Sequence, residues 1–350
     1  MIKIPYYDAD VVSAYDANVR ILLTEHKRKL KSGIEYKTIL EKYDELHKKL
    51  VEKFKLDESI EPSVFTYTPE SMDKIERFLS TYDVKNKNTK LDCEIYNICV
   101  YISSNSEGLY NGLKTKFNKT ATKTLIQECI NKSDIYPMFS ILQGQFTVYD
   151  FILYNIKTRV CPYCNRNYTF AYISGSSSKR IAFDINLDHV YPQGNVTENI
   201  LAIFCISIYN LAPVCPTCNF RKSDNAFGHF NPFMDRIDVD VSFSSSRYSS
   251  FDSTSFDVIA KTGTNHQRDS QIIDILDLNR IYSGHSREFL DLLERYRIFG
   301  TADRIREISN LTTVSVDTLL ALIYGNSDYE NESLGYIKKL IIDKLKGDLQ

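Results

Sequence analysis

At 350 residues the chain is long enough for two or three packed units, and its formal net charge of −2 supplies no global pull towards nucleic acid. Hydrophobic residues at 43% and charged residues at 25% exclude a disordered or fibrous chain. There is no run of about 18 apolar residues, and the opening MIKIPYYDAD lacks the features of a signal peptide, so a cytoplasmic protein without membrane attachment is expected.

From about Val11 to Phe54 apolar residues recur at helical spacing, as in Tyr36, Ile39, Leu40, Tyr43, Leu46, Leu50 and Phe54, which predicts a helical stretch. Lys and Glu alternate between them. That pattern reads first as a solvated face, although a basic helix can also lie on a nucleic-acid backbone. Pro62 and the segment Thr66 to Pro69 punctuate the chain before a helix over 71–82. Further helices are expected over 91–103 and 121–132, reaching towards Tyr154. Residues 1–150 thus read as a helical N-terminal domain whose role in recognition, assembly or regulation stays open. A central region, 151–236, carries the motifs analysed below. In the remainder, 237–350, Ile237–Val241 alternates as a strand does, and the aromatics Phe243, Tyr248 and Phe251 within Ser242–Ser255 suggest a small hairpin. Helical spacing returns from about Arg268, through Ile272, Ile275, Leu276, Phe289 and Leu293, to Val316–Leu322 and Ile337–Leu345. The fold class expected is α+β, predominantly α-helical.

Four of the eight cysteines form two pairs, Cys161-Pro-Tyr-Cys164 and Cys215-Pro-Thr-Cys218, with fifty residues between them. Each Cys-x-x-Cys turn offers two thiolates to one ion, so the two pairs predict a closed, structural zinc site with no position left for a reacting water. Cys93, Cys99, Cys129 and Cys205 lack such partners and read as core residues. Between the pairs lies Leu187-Asp188-His189-Val190-Tyr191-Pro192, then Tyr209-Asn210-Leu211, and the second pair runs on into Asn219-Phe220-Arg221-Lys222. Phosphodiester hydrolysis needs a base for water and a cation for the charge that develops at phosphorus and on the leaving oxygen. A histidine beside oxygen donors could supply both. Residues 155–235 hold seven Lys/Arg against five Asp/Glu, a sign suited to phosphate but a small excess.

The order CPYC, DHVYP, YNL, CPTCNFRK over roughly 158–235 resembles the HNH endonucleases. The resemblance implies a ββα-metal core clamped by a four-cysteine zinc site and flanked by N- and C-terminal helical regions. It implies that His189 is the general base, that Asp188 and Asn219 bind a catalytic Mg²⁺ (or Mn²⁺), and that Asn210 hydrogen-bonds the loop carrying His189. Asn219 stands where many relatives have His, a change that suits a hard ion. Arg166, Arg221 and Lys222 could contact phosphates, or could equally be solubilising charge. Asp184 and Asp224 read as turn or capping residues, and Gly194 with Asn195 as a turn.

A second, distal resemblance runs through His229-Phe230-Asn231-Pro232-Phe233 and Asp277-Leu278-Asn279-Arg280-Ile281-Tyr282 with His285. It is to the HNH subunit of Septu-type and retron-associated phage-defence systems, which act with an ATPase partner, and it implies such a partner and antiviral defence as the role; DNA is the expected substrate, although no residue separates DNA from RNA. His229, His266 and His285 read as structural, having no ligand-spaced companions. The alternatives left open are a non-catalytic zinc module that binds nucleic acid or protein, and an RNA-directed nuclease.

Overall fold

Apolar spacing, caps and breakers set the helices. In the computed structural model, α1 (Ala9–Glu25) buries Val11, Tyr15, Val19, Leu22 and Leu23, and α2 (Tyr36–Phe54) buries Ile39, Tyr43, Leu46 and Leu50 along one face. The helical stretch expected from Val11 to Phe54 is therefore two helices. Gly33 lies between them at φ 83°, a left-handed conformation that glycine adopts without steric cost, and its N–H closes a turn onto the Leu30 carbonyl. Helix α3 (Pro69–Thr81) starts where Thr68 caps the Ser71 N–H and Pro69 presets the first turn. Helix α4 (Lys90–Ser103) is capped by Thr89 through the Asp92 N–H.

The structure describes residues 1–25, 30, 33–82, 89–106, 108–109, 151–152, 155–169, 171–174, 180–183, 185–192, 200–225, 227, 230–244, 255–263, 265–299, 302–324 and 330–347. The helix expected over 121–132, the tip of the hairpin within 242–255, and Cys129, Asp184, Gly194, Asn195 and His229 lie outside these residues.

Past α4 the described residues form three small antiparallel pairs: β1 (Ala171–Ser174) with β2 (Arg180–Phe183), β3 (Asn186–His189) with β4 (Leu211–Val214), and β5 (Asp238–Ser244) with β6 (Ser255–Lys261). The first pair was not anticipated; the Gly-Ser run at 175–178 between apolar stretches was its sequence signal. A short helix α5 (Pro216–Lys222) follows β4 directly. Among the described residues the helices that follow are α6 (His266–Leu276), α7 (Leu278–Ser283), α8 (Ser286–Phe299), α9 (Ala302–Thr312), α10 (Val316–Tyr324) and α11 (Gly335–Gly347). The protein is thus mostly helical with small antiparallel sheets, an α+β arrangement. Among the described residues no helix is long and apolar enough to cross a membrane.

Backbone proximity divides the chain into two units that do not follow the expected divisions at 150 and 236. One holds Ile4–Lys157 with Thr169–Asp235, so the N-terminal helices share a unit with β1–β4 and α5. The other holds Met1–Lys3, Thr158–Tyr168 and Arg236–Gln350. Sequence order hides this division, because the turn at 158–168 is tied to distant residues. The Asn165 carbonyl accepts the Leu334 N–H at 2.5 Å, its Oδ1 accepts the Tyr336 N–H at 3.0 Å, and the Arg159 N–H reaches Asn331 Oδ1 at 3.0 Å.

In the first unit the helices pack against residues 200–210, a described part of the connection from β3 back to β4. This connection contains short 3-10 turns at Ile200–Phe204 and Ile208–Asn210, and every residue from Ala202 to Asn210 is buried. Ion pairs link the helices around it: Arg20 bridges Asp16 and Asp44 at 2.9 Å each, and Lys53 meets Asp92 at 2.6 Å. Phe204 is fully buried, with its ring 5.6 Å from that of Tyr191. Truncating such an aromatic costs lost transfer energy plus a cavity. Phe204→Ala should lower unfolding stability by about 3–5 kcal/mol, read as a fall in denaturant midpoint at unchanged slope.

Candidate functional site

The motif residues fall on the strand pair β3–β4 and on α5, elements that follow one another as strand, strand, helix. The antiparallel register sets Asp188 opposite Ala212 and His189 opposite Leu211. Asp188, one residue before the strand end, points inward and is 4% exposed, while His189 is half-buried.

Asn210 stands immediately before β4 and holds the chain as it leaves β3. Its carbonyl accepts the Val190 N–H at 2.9 Å and its Oδ1 accepts the Tyr191 N–H at 2.7 Å. Its Nδ2 donates to the Phe204 carbonyl at 2.9 Å and to the Tyr191 carbonyl at 3.3 Å. This wholly buried amide therefore has partners on both oxygen and nitrogen, as a buried polar group must.

The His189 ring has its Nε2 3.0 Å from the Cys205 carbonyl. A carbonyl can only accept, so Nε2 carries the proton, and Nδ1 is the acceptor of the neutral ring. The same bond fixes the plane of the imidazole. The Cys205 thiol itself is buried and pushed up to about 12 by desolvation, so only the backbone of this residue serves the ring.

Helix α5 carries two functions on one face. Pro216 occupies its first turn, where a missing N–H costs nothing, and Cys218 and Lys222, one turn apart, both point inward. Lys222 has no exposed surface. Its Nζ lies 3.0 Å from Asp188 Oδ1 and 2.7 Å from the His189 carbonyl, with the Phe227 ring 5.5 Å away. The expectation that Lys222 faces phosphate is corrected by this burial: the ammonium is the internal counter-charge of Asp188. Its position four residues after Cys218 was a readable sign of a shared inward face.

Asn219, three residues before Lys222, is half-buried on α5. Phe220 is 85% exposed and Arg221 partly exposed. Arg166 belongs to the other unit, half-buried with its Nε on Asn167 Oδ1 at 3.1 Å. Asp224 is exposed just past α5. His266 and His285 bond locally, to Thr262 Oγ1 at 2.5 Å and Glu288 Oε1 at 2.8 Å, and neither joins a ligand cluster among the described residues.

The sulfurs of Cys161, Cys164, Cys215 and Cys218 all lie within 4.8 Å of one another, and all four residues are buried. Zinc–sulfur bonds of about 2.3 Å give a tetrahedron with sulfur–sulfur edges of about 3.8 Å. The cluster could therefore hold a metal ion, and four soft donors suit zinc in a closed structural site. The first pair sits in a tight turn closed by the Asn165 N–H on the Cys161 carbonyl and the Cys161 N–H on the Asn167 carbonyl, both 2.8 Å. Asn165 takes φ 52°, a left-handed conformation that asparagine tolerates better than most residues. Comparisons of the chain with family models, with curated proteins and with solved structures returned no match.

Elemental analysis of the purified protein should find about one zinc per chain, and Cys218→Ser should lose it. Because removing one partner of a buried ion pair strands the other, Lys222→Met should cost about 3–5 kcal/mol. Much of that loss should return in the Asp188→Asn/Lys222→Met double variant, as measured by denaturant unfolding.

Proposed function

We propose that this chain is a metal-dependent nuclease of the HNH type, hydrolysing phosphodiester bonds of DNA. The observation that carries the reading is the His189 ring, whose Nε2–H is committed to the Cys205 carbonyl and whose Nδ1 is thereby made a proton acceptor. A module that only binds has no use for an imidazole oriented in this way beside a buried carboxylate. The motif order CPYC, DHVYP, YNL, CPTCNFRK and its resemblance to HNH enzymes support the same reading.

In this account His189 Nδ1 takes the proton of a water attacking phosphorus, while Asn210 and the Cys205 carbonyl keep the ring in place. Asp188, whose Oδ1 is on Lys222, and Asn219 would together hold a Mg²⁺ or Mn²⁺ through oxygen donors. Such an ion supplies charge neutralisation at the phosphate and at the leaving 3′-oxygen. Lys222 already offsets the Asp188 charge, so a second cation is held weakly unless the phosphate brings its own negative charge. Arg221 and the exposed Phe220, neighbours of Asn219 on α5, are suited to phosphate and base contact respectively. Work with an ATPase partner in phage defence belongs to the same reading, and co-purification from the native host tests it.

Purified protein incubated with plasmid, linear duplex, single-stranded DNA and RNA should cut DNA with Mg²⁺ or Mn²⁺ and be silent with EDTA. Loss of the base should cost about 10²–10⁴-fold, so His189→Ala should be nearly inactive with its fold and zinc content intact. The rate should fall in acid, where the acceptor nitrogen is protonated. Cutting of RNA alone would redirect the substrate. Equal cutting by His189→Ala would remove the base from the account, and binding without cutting in every condition would leave the zinc module as the function.

A further inference from the structure

Four successive carbonyls in the connection from β3 to β4 are each taken by a side chain. Ile203 accepts the Tyr43 hydroxyl at 3.2 Å and Phe204 accepts Asn210 Nδ2 at 2.9 Å. Cys205 bonds His189 Nε2 at 3.0 Å, and Ile206 accepts the Tyr15 hydroxyl at 2.7 Å. The carbonyl that orients the imidazole is thus bracketed by two carbonyls moored to the N-terminal helices, Tyr15 on α1 and Tyr43 on α2. Both tyrosines are essentially without exposed surface. Desolvation raises the Tyr43 hydroxyl well above its usual value, so it stays a neutral donor. Two further bonds anchor the same connection: Ser207 Oγ on the Val64 carbonyl at 2.7 Å and, farther from Cys205, Ser103 Oγ on the Ile200 carbonyl at 2.9 Å.

We infer that Tyr15 and Tyr43 are positioning residues for His189, and that the N-terminal helices serve as the platform on which the imidazole is oriented. Each peptide plane is stiff and turns only about the dihedrals that flank it, so holding the Ile203 and Ile206 carbonyls on either side of Cys205 restricts how the Cys205 carbonyl can turn. Release of either hydroxyl lets the Cys205 carbonyl turn, and the ring then loses the partner that selects its tautomer. Helices with no residue at the reacting centre would in this way set the geometry of the base. The catalytic arm of the test rests on His189 acting as that base, whereas the spectroscopic arm does not.

The test uses Tyr15→Phe, Tyr43→Phe and the double variant in the full chain, each removing only a hydroxyl, with Ser103→Ala as the control that loosens the same connection away from Cys205. Selective ¹⁵N labelling of the histidines, with His189→Ala to assign the signal, reads the tautomer of the ring by proton–nitrogen correlation. The wild type and Ser103→Ala should show the Nε2-protonated ring, and the double variant a mixture of tautomers. Cleavage should show kcat lowered about tenfold or more in the double variant with KM within about twofold, since an orienting contact acts on the reacting geometry and not on binding. An unchanged tautomer in the double variant, or an equal change in Ser103→Ala, overturns the inference. If the double variant is unfolded by circular dichroism, the single variants decide on the same criteria. A shifted tautomer in a protein that cuts nothing upholds the positioning role and removes the nuclease reading.

Discussion

A buried loop must find hydrogen-bond partners for its own backbone, and the candidate site is organised around that requirement. From Ala202 to Asn210 the chain leading into β4 runs through the interior, where every peptide carbonyl left without a donor costs free energy comparable to a lost hydrogen bond. Loops ordinarily avoid this by staying on the surface. Here donors come from Tyr15, Tyr43, Asn210 and His189, one for each carbonyl from Ile203 to Ile206. The orientation of the imidazole is therefore part of what makes the buried connection tolerable, and both fail together if the connection is rearranged.

Electrostatics at Asp188 follow the same logic. A carboxylate as buried as Asp188 needs a compensating charge, and Lys222 supplies it from α5 while also taking the His189 carbonyl. One ammonium thus fixes the side chain of one motif residue and the backbone of the next. Cys218 lies one turn earlier on the same face, so the four-sulfur cluster and the ion pair constrain a single short helix from its two ends. A helix of seven residues has little stability of its own, and here its geometry comes from these side-chain anchors.

How much of this could be read from residues alone differs from feature to feature. The paired Cys-x-x-Cys turns pointed to a metal cluster because thiolate spacing is a local property, and the four sulfurs do converge. The face of α2 was legible for the same reason, since apolar spacing reports which side of a helix is buried. The break between α1 and α2 was not, because helical spacing was read as one stretch from Val11 to Phe54, whereas α1 ends at Glu25 and α2 begins at Tyr36, with Gly33 at a positive φ between them. Lys222 was misjudged as an external cation since residue type suggests solvent, whereas its spacing from Cys218 indicated the interior. The role of the Cys205 carbonyl left no trace in the sequence: a backbone acceptor has no residue identity, and its partner lies sixteen positions away. Tyr15 and Tyr43 likewise look like ordinary core aromatics until their hydroxyls are followed to the carbonyls they serve.

Crystals grown with Mn²⁺ and measured at the manganese and zinc absorption edges would locate both ions. The expected result is a zinc peak centred among the four sulfurs and a separate manganese peak within about 2.0–2.3 Å of oxygens of Asp188 and Asn219, facing the His189 ring. A single shared peak, or manganese bound away from Asp188, would contradict it.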